Sequence, residues 1–161
     1  VYKIKVRGLI TVGAQTGQNA ADNYSMCRVA LVQDTQTNAS QAQGEDIFAA
    51  PTTASAVQAV SSFQSLANTG RFKVLKDKWI LMEDPSIAND TGATGGIVAS
   101  GLARRFNFSH RFKKGVKVRF NAANGGTIAD IVDNSWSIYA NTTFTTLTPQ
   151  ITYQARVSYK E

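Results

Sequence analysis

Two residue types that commonly do covalent chemistry occur once each, His110 and Cys27. A hydrolytic triad needs its histidine beside an exposed nucleophile and a carboxylate. In "FSHRF" the hydroxyl next to His110 is Ser109, and neighbours on a strand point to opposite faces, so the two do not form a base–nucleophile pair. Cys27 lies in "YSMCRVALV", whose apolar run predicts a buried strand thiol. A single cysteine also excludes an internal disulfide and a cysteine-rich zinc site. Apart from a carboxylate pair of the glycosidase kind, no route to a catalytic centre remains, and the chain reads as a non-enzyme.

The chemistry offered instead is anion binding. Seventeen Lys and Arg against eleven Asp and Glu leave a net charge of +6. Such a surface favours phosphate backbones or anionic membranes, and the arrangement of the charge has to decide between partners. In the opening "VYKIKVRGLI", strand alternation puts Lys3, Lys5 and Arg7 opposite Tyr2, Ile4 and Val6. In "GVKVRFN", Lys117 and Arg119 oppose Val116, Val118 and Phe120. In "PQITYQARVSYKE", Arg156 and Lys160 stand with Thr152, Gln154 and Ser158, opposite an inward row of Ile151, Tyr153, Ala155, Val157 and Tyr159. No carboxylate falls on the polar side of these strands. Adjacent like charges repel, so if the three strands are neighbours they form a surface that suits phosphates, which supply the missing anions. A secondary basic segment, "RRFNFSHRFKK", adds Arg104, Arg105, Arg111, Lys113 and Lys114. Its rings Phe106, Phe108 and Phe112 are assigned to the core rather than to base stacking.

The elements that must position these residues are mostly strands. At 161 residues with 43% hydrophobic and 17% charged residues, the chain reads as one globular domain, 1–161. No apolar run is long enough to span a membrane as a helix. "YSMCRVALVQD" reads as a strand buried on much of both sides, followed by a polar loop, "TQTNASQAQGED". "RFKVLKDKWILM" changes phase near Lys76, from Phe72 and Val74 to Trp79 and Leu81, which predicts a bulge or strong twist. "NSWSIYANT" reads as a short strand, and both tryptophans are expected to be at least partly buried. One inserted helix is predicted around residues 52–67, from Pro51, an N-cap at Thr52 or Thr53, and Val57, Val60, Phe63 and Leu66 or Ala67 at helical spacing. Strands joined by long loops, with few helices between them, argue for a mainly antiparallel β sandwich or barrel.

"SFQSLANTGRFKVLKDKWILM" resembles a stretch in the coat proteins of small icosahedral viruses, where an Arg-Phe-x-Val-Leu-x-Asp strand follows a loop or helix. Similar segments occur in circular single-stranded DNA virus capsids and in satellite RNA virus coats of plants. "YKIKVRGLI", "CRVALVQDTQTN" and "PQITYQARVSYKE" look like the same proteins' neighbouring and closing strands. The resemblance implies a single antiparallel jelly roll of two sheets, B-I-D-G and C-H-E-F. On it, the opening strand is D, "CRVALVQD" E, "RFKVLKDKWILM" F, "GVKVRFN" G, "NSWSIYANT" H and "ITYQARVSY" I. Strands B and C, and a basic N-terminal arm, would then lie upstream of residue 1, or the lettering shifts by two. Strands I, D and G adjoin in that fold, which would bring Lys3, Lys5, Arg7, Lys117, Arg119, Arg156 and Lys160 onto one wall.

The function so implied is a structural capsid protein of the virion. It would self-assemble with identical subunits into a closed icosahedral shell and package single-stranded DNA or RNA against the basic interior face, with no membrane insertion. Within a shell, Glu83, Asp84, Asp90, Asp130 and Asp133 are weak candidates for calcium between subunits, since carboxylates suit that cation; solvated loops are the preferred reading of these acids. The second reading is a cellular jelly-roll binding module, of the trimeric-ligand or carbohydrate-binding type, which would need exposed aromatics such as Trp79 and Trp136.

Overall fold

The computed structural model describes residues 1–12, 24–49, 60–83, 102–121, 125–143 and 149–159. It is mainly β. Strands β1 (Lys3–Val12), β2 (Tyr24–Asp34), β3 (Phe72–Glu83), β4 (Leu102–Arg111), β7 (Ser135–Thr142) and β8 (Gln150–Ser158) form two antiparallel sheets, ordered β4-β1-β8 and β3-β2-β7. Two short strands, β5 (Arg119–Phe120) and β6 (Ile131–Asp133), make a separate ribbon. One four-residue helix, α1 (Gly44–Ile47), lies within the stretch read as polar loop.

Period-two patterning places the core between the sheets. Ile4, Val6 and Ile10 of β1 meet Cys27, Val29 and Leu31 of β2, with Ile80 and Met82 of β3 and Phe106 and Phe108 of β4. The rings of the basic segment are thus core, as expected, and so is the Cys27 thiol. Burial raises the pKa of that thiol, and its Sγ lies 3.5 Å from Met82 Sδ.

A second cluster covers the outer face of β3-β2-β7. Ala30 and Val32 of β2 and Phe72 of β3 pack there against Ile47 and Phe48. Strand β2 is therefore buried on both sides. The predicted bulge is present: Leu31 pairs with Lys76 and Val32 with Val74, which leaves Leu75 as the extra residue. Its effect is to turn Phe72 and Val74 outward under the cover and Ile80 and Met82 inward. The phase beyond the bulge thus differs from the expectation, because Trp79 is 48% exposed and Leu81 is also exposed.

Two crossed ion pairs lock β2 to β3. Arg28 binds Asp77 through both carboxylate oxygens, at 3.1 and 2.7 Å, and Arg71 binds Asp34 likewise, at 3.0 and 2.9 Å. Each Arg stands six positions ahead of the other pair's Asp, Arg28 ahead of Asp34 in β2 and Arg71, just before β3, ahead of Asp77. The charged ends of "RFKVLKD" are accordingly structural: they fix one antiparallel pair by bidentate contacts.

The helix expected at 52–67 is corrected where it is described. Val60 and Ser61 are helical, within the expected span, but residues 62–65 are not, Gln64 bridges Phe48 in antiparallel fashion, and Leu66–Asn68 is a 3₁₀ turn. Phe63 and Leu66 are 89% and 87% exposed rather than forming a buried stripe, although Val60 is buried. Residues 50–59 lie outside the described residues.

The sandwich differs on its two sides. Strands β3 and β4 approach each other across one side. Between β7 and β8 a cleft of about 390 Å³ runs in toward Ile4, Val6 and Leu31, lined also by Trp136, Ile138, Tyr153, Ala155 and Val157. Tyr153, Ala155 and Val157, which line this cleft, are exposed, as is Tyr159, which corrects their inward placement. Trp136 is partly buried against Phe112, and its indole N–H is buried without a hydrogen-bond partner.

Candidate nucleic-acid interface

The outer face of β4-β1-β8 is built by register. Residues opposite one another across an antiparallel sheet share a face, so the pairings from Lys3 to Leu9 define four rows. Arg111, Lys3 and Ser158 form the first, and Ser109, Lys5 and Arg156 the second. Asn107, Arg7 and Gln154 form the third, and Arg105, Leu9 and Thr152 the fourth. The rows extend about 20 Å along β1 and about 10 Å across the three strands.

Six cations stand on this face, Lys3, Lys5, Arg7, Arg105, Arg111 and Arg156, with no carboxylate among the rows. Two like-charged pairs are directly opposed, Lys3 with Arg111 and Lys5 with Arg156. Such pairs cost stability, on the order of 0.2–1 kcal/mol each. None of the six makes an ion pair among the described residues. Lys5, Arg7, Gln154 and Arg156, with Ala155, line an open depression of about 420 Å³.

Four of the seven expected cations thus meet: Lys3, Lys5, Arg7 and Arg156. The strand beside β1 is β4, not "GVKVRFN". Lys117 is exposed in the irregular run before β5, where its carbonyl accepts a 2.8 Å hydrogen bond from Asn134. Arg119 lies in the β5–β6 ribbon and is paired with Asp133 at 2.6 Å, so it is neither on this face nor free. Phe120, on the apolar side of that alternation, is 65% exposed. The reason is local: Gly115 has φ of +73° and turns the chain after β4. Of "GVKVRFN", Val116 is held beside Val1 by two 2.7 Å backbone hydrogen bonds before the segment turns away to pair with β6. Lys160 lies outside the described residues.

Arg105 and Arg111 of the secondary segment belong to the main face. The signal that finds them is in the sequence: "ARRFNFSHR" alternates Arg105, Asn107, Ser109 and Arg111 against Phe106, Phe108 and His110. Arg104 has the opposite parity, across from Ile10 at the end of the sheet, and is exposed. Lys113 and Lys114 are exposed in the bend after β4.

The two residues with nucleophile or base chemistry do not converge. Ser109 faces outward, whereas His110 lies on the inner parity and packs edge-on against Phe112 at 4.6 Å. Burial, and secondarily the Lys76 charge, lower the pKa of His110.

The acidic candidates are engaged within the chain or lie outside the described residues. Asp130 Oδ2 accepts the Thr127 backbone N–H at 2.8 Å, and Asp133 binds Arg119, whose hydrogen bond lowers the carboxyl pKa. The side chain of Glu83, together with Asp84 and Asp90, lies outside the described residues. Among the described residues no group of three or more His, Cys, Asp or Glu side chains is placed to hold a metal, and no helix is long and apolar enough to cross a membrane.

Compared with models of known protein families, the chain matches none; compared with curated proteins, it likewise finds no match.

Proposed function

We propose that this chain is a structural capsid protein of jelly-roll type that assembles into an icosahedral shell and packages single-stranded nucleic acid against its basic sheet face. The observation that carries the reading is the outer face of β4-β1-β8, with six cations and, among the described residues, no counter-charge. A sheet face normally intersperses charges of both signs, and here an external polyanion supplies the second sign. The strand orders β8-β1-β4 and β7-β2-β3 support the fold half of the reading, since they match the I-D-G and H-E-F orders of a jelly roll once β4 takes the G position. In such a shell the basic face looks inward and the long connections make contacts between subunits.

Negative-stain electron microscopy of the purified protein, with nuclease challenge of any nucleic acid it carries, tests this directly. Closed particles with nuclease-protected strands are expected. A monomer or small oligomer at every salt and pH removes the capsid reading in favour of a cellular binding module. The half-exposed Trp79 is the observation on that side. Neutralising Lys5, Arg7 and Arg156 leaves ligand binding by such a module intact and abolishes packaging by a capsid.

A further inference from the structure

We propose that the β4-β1-β8 face grips a single strand by its phosphates alone, without reading bases or sugar, anchored at the depression formed by Lys5, Arg7, Gln154 and Arg156. This rests on the nucleic-acid half of the reading above and specifies how that site works. Three observations carry it.

The four rows hold no aromatic side chain. Sequence-tolerant binding of single strands usually relies on rings on which bases stack, and the rings of these strands are on the other face. Phe106 and Phe108 are buried between the sheets, and Tyr153 opens to the inter-sheet cleft. What remains for a ligand is charge and neutral donors, from Asn107, Ser109, Thr152 and Gln154. These are partners for phosphate oxygens, which position a strand without specifying its sequence.

Three of the cations converge around one opposed pair. Lys5 is directly opposed to Arg156 across the β1–β8 pair, and Arg7 follows two residues along β1. All three line the same depression, with the Gln154 amide beside them. A phosphate seated there relieves the repulsion between Lys5 and Arg156. Lys3 and Arg111 on one side, and Arg105 on the other, extend the track along β1.

The contact therefore has a predictable salt response. Neutralising six phosphates on a single strand gives a log–log slope of about −4, or about a 300-fold loss of affinity between 50 and 200 mM salt. Bases contribute nothing to that slope.

Fluorescence anisotropy on the full 161-residue chain tests the proposal, with labelled (dT)20, (rU)20 and an abasic deoxyribose-phosphate 20-mer as probes. All three are expected to bind within about threefold of one another, with the slope near −4. In Lys5→Gln/Arg156→Gln the slope is expected to fall to about −3, with the melting temperature unchanged or raised because an opposed like-charged pair is gone. An abasic strand that binds more than tenfold weaker than (dT)20 overturns the proposal and leaves nucleic-acid binding standing. An unchanged slope in the double variant, correctly folded by its melting curve, also overturns it, since cations elsewhere would then carry the contact. If (dT)20 itself fails to bind at 50 mM salt, the nucleic-acid half of the functional reading fails and this proposal fails with it. Particle formation is a separate readout and does not enter either result.

Discussion

Arg28 sits at the centre of the covered side of the molecule. Besides its fork onto Asp77, it donates to the carbonyls of Val60 at 3.1 Å and Ser62 at 2.6 Å, and its guanidinium lies 3.7 Å over the Phe48 ring. One buried side chain thereby ties β2, β3 and residues 60–62 together. Arg28→Ala strands two carbonyls and a carboxylate, and is expected to lower unfolding free energy by about 3 kcal/mol. Arg28→Lys keeps the charge but loses the planar fork, and should recover less than half of that. Urea titrations of both variants check the ordering. His110 gives a second test at this scale. Its pKa is lowered in the fold by burial and by Lys76, so the unfolded chain binds the proton more readily. Stability from this group is present above its unfolded pKa of about 6.5 and declines as pH falls below that value toward the folded one. Carboxylates such as Asp133, also lowered, act at more acid pH. Urea midpoints between pH 5 and 7.5 should therefore fall toward the acid end in the native protein. They should fall less in His110→Phe, which keeps a ring against Phe112.

At the scale of elements, Gly8 in β1 shows why the first sheet packs as it does. A methyl group at Gly8 overlaps the Phe106 ring and comes within 2.9 Å of the Thr152 carbonyl oxygen, because Phe106 lies across the strand at that point. Gly8→Ala is expected to cost about 1–3 kcal/mol by overpacking, and Phe106→Leu in the same chain should return part of the loss; thermal melts of the single and double variants decide it. Strands of this kind were legible before any coordinates. Alternation in "KIKVRGLI", the continuous apolar run of "CRVALV" and the phase change near Lys76 all report a sheet with one or both faces buried, and β1, β2 and the bulge at Leu75 follow from them. The helix predicted at 52–67 reaches Val60 and Ser61 but does not continue to 67, because Phe63 and Leu66 satisfy helical spacing yet stay exposed. Periodicity records spacing, and only burial makes spacing a face. "GVKVRFN" failed for a related reason. Its alternation is real, yet Asp133, fourteen residues on, captures Arg119 and draws the segment into a separate ribbon. Nothing in a local window announces that partner.

For the molecule as a whole, the two outer faces have opposite fates. The chain folds Ile47, Phe48 and Val60 onto the β3-β2-β7 side, whereas among the described residues the β4-β1-β8 side carries its own polar rows without such a cover. The basic face was half legible: Lys3, Lys5, Arg7 and Arg156 follow from parity, but adjacency of strands about 150 residues apart is a property of topology, and Arg105 and Arg111 enter only because β4 is the neighbour of β1. The same topology sets how the molecule opens. Strands β1 and β2 are each hydrogen-bonded on both sides, while among the described residues β8 is bonded on one side only and flanks the open cleft. Deuterium should consequently enter the outward-pointing amides of β8 within the first sampling times, and reach the middle of β1 and β2 only through global unfolding. Exchange followed peptide by peptide would then trace the loosening of this protein from its last strand inward.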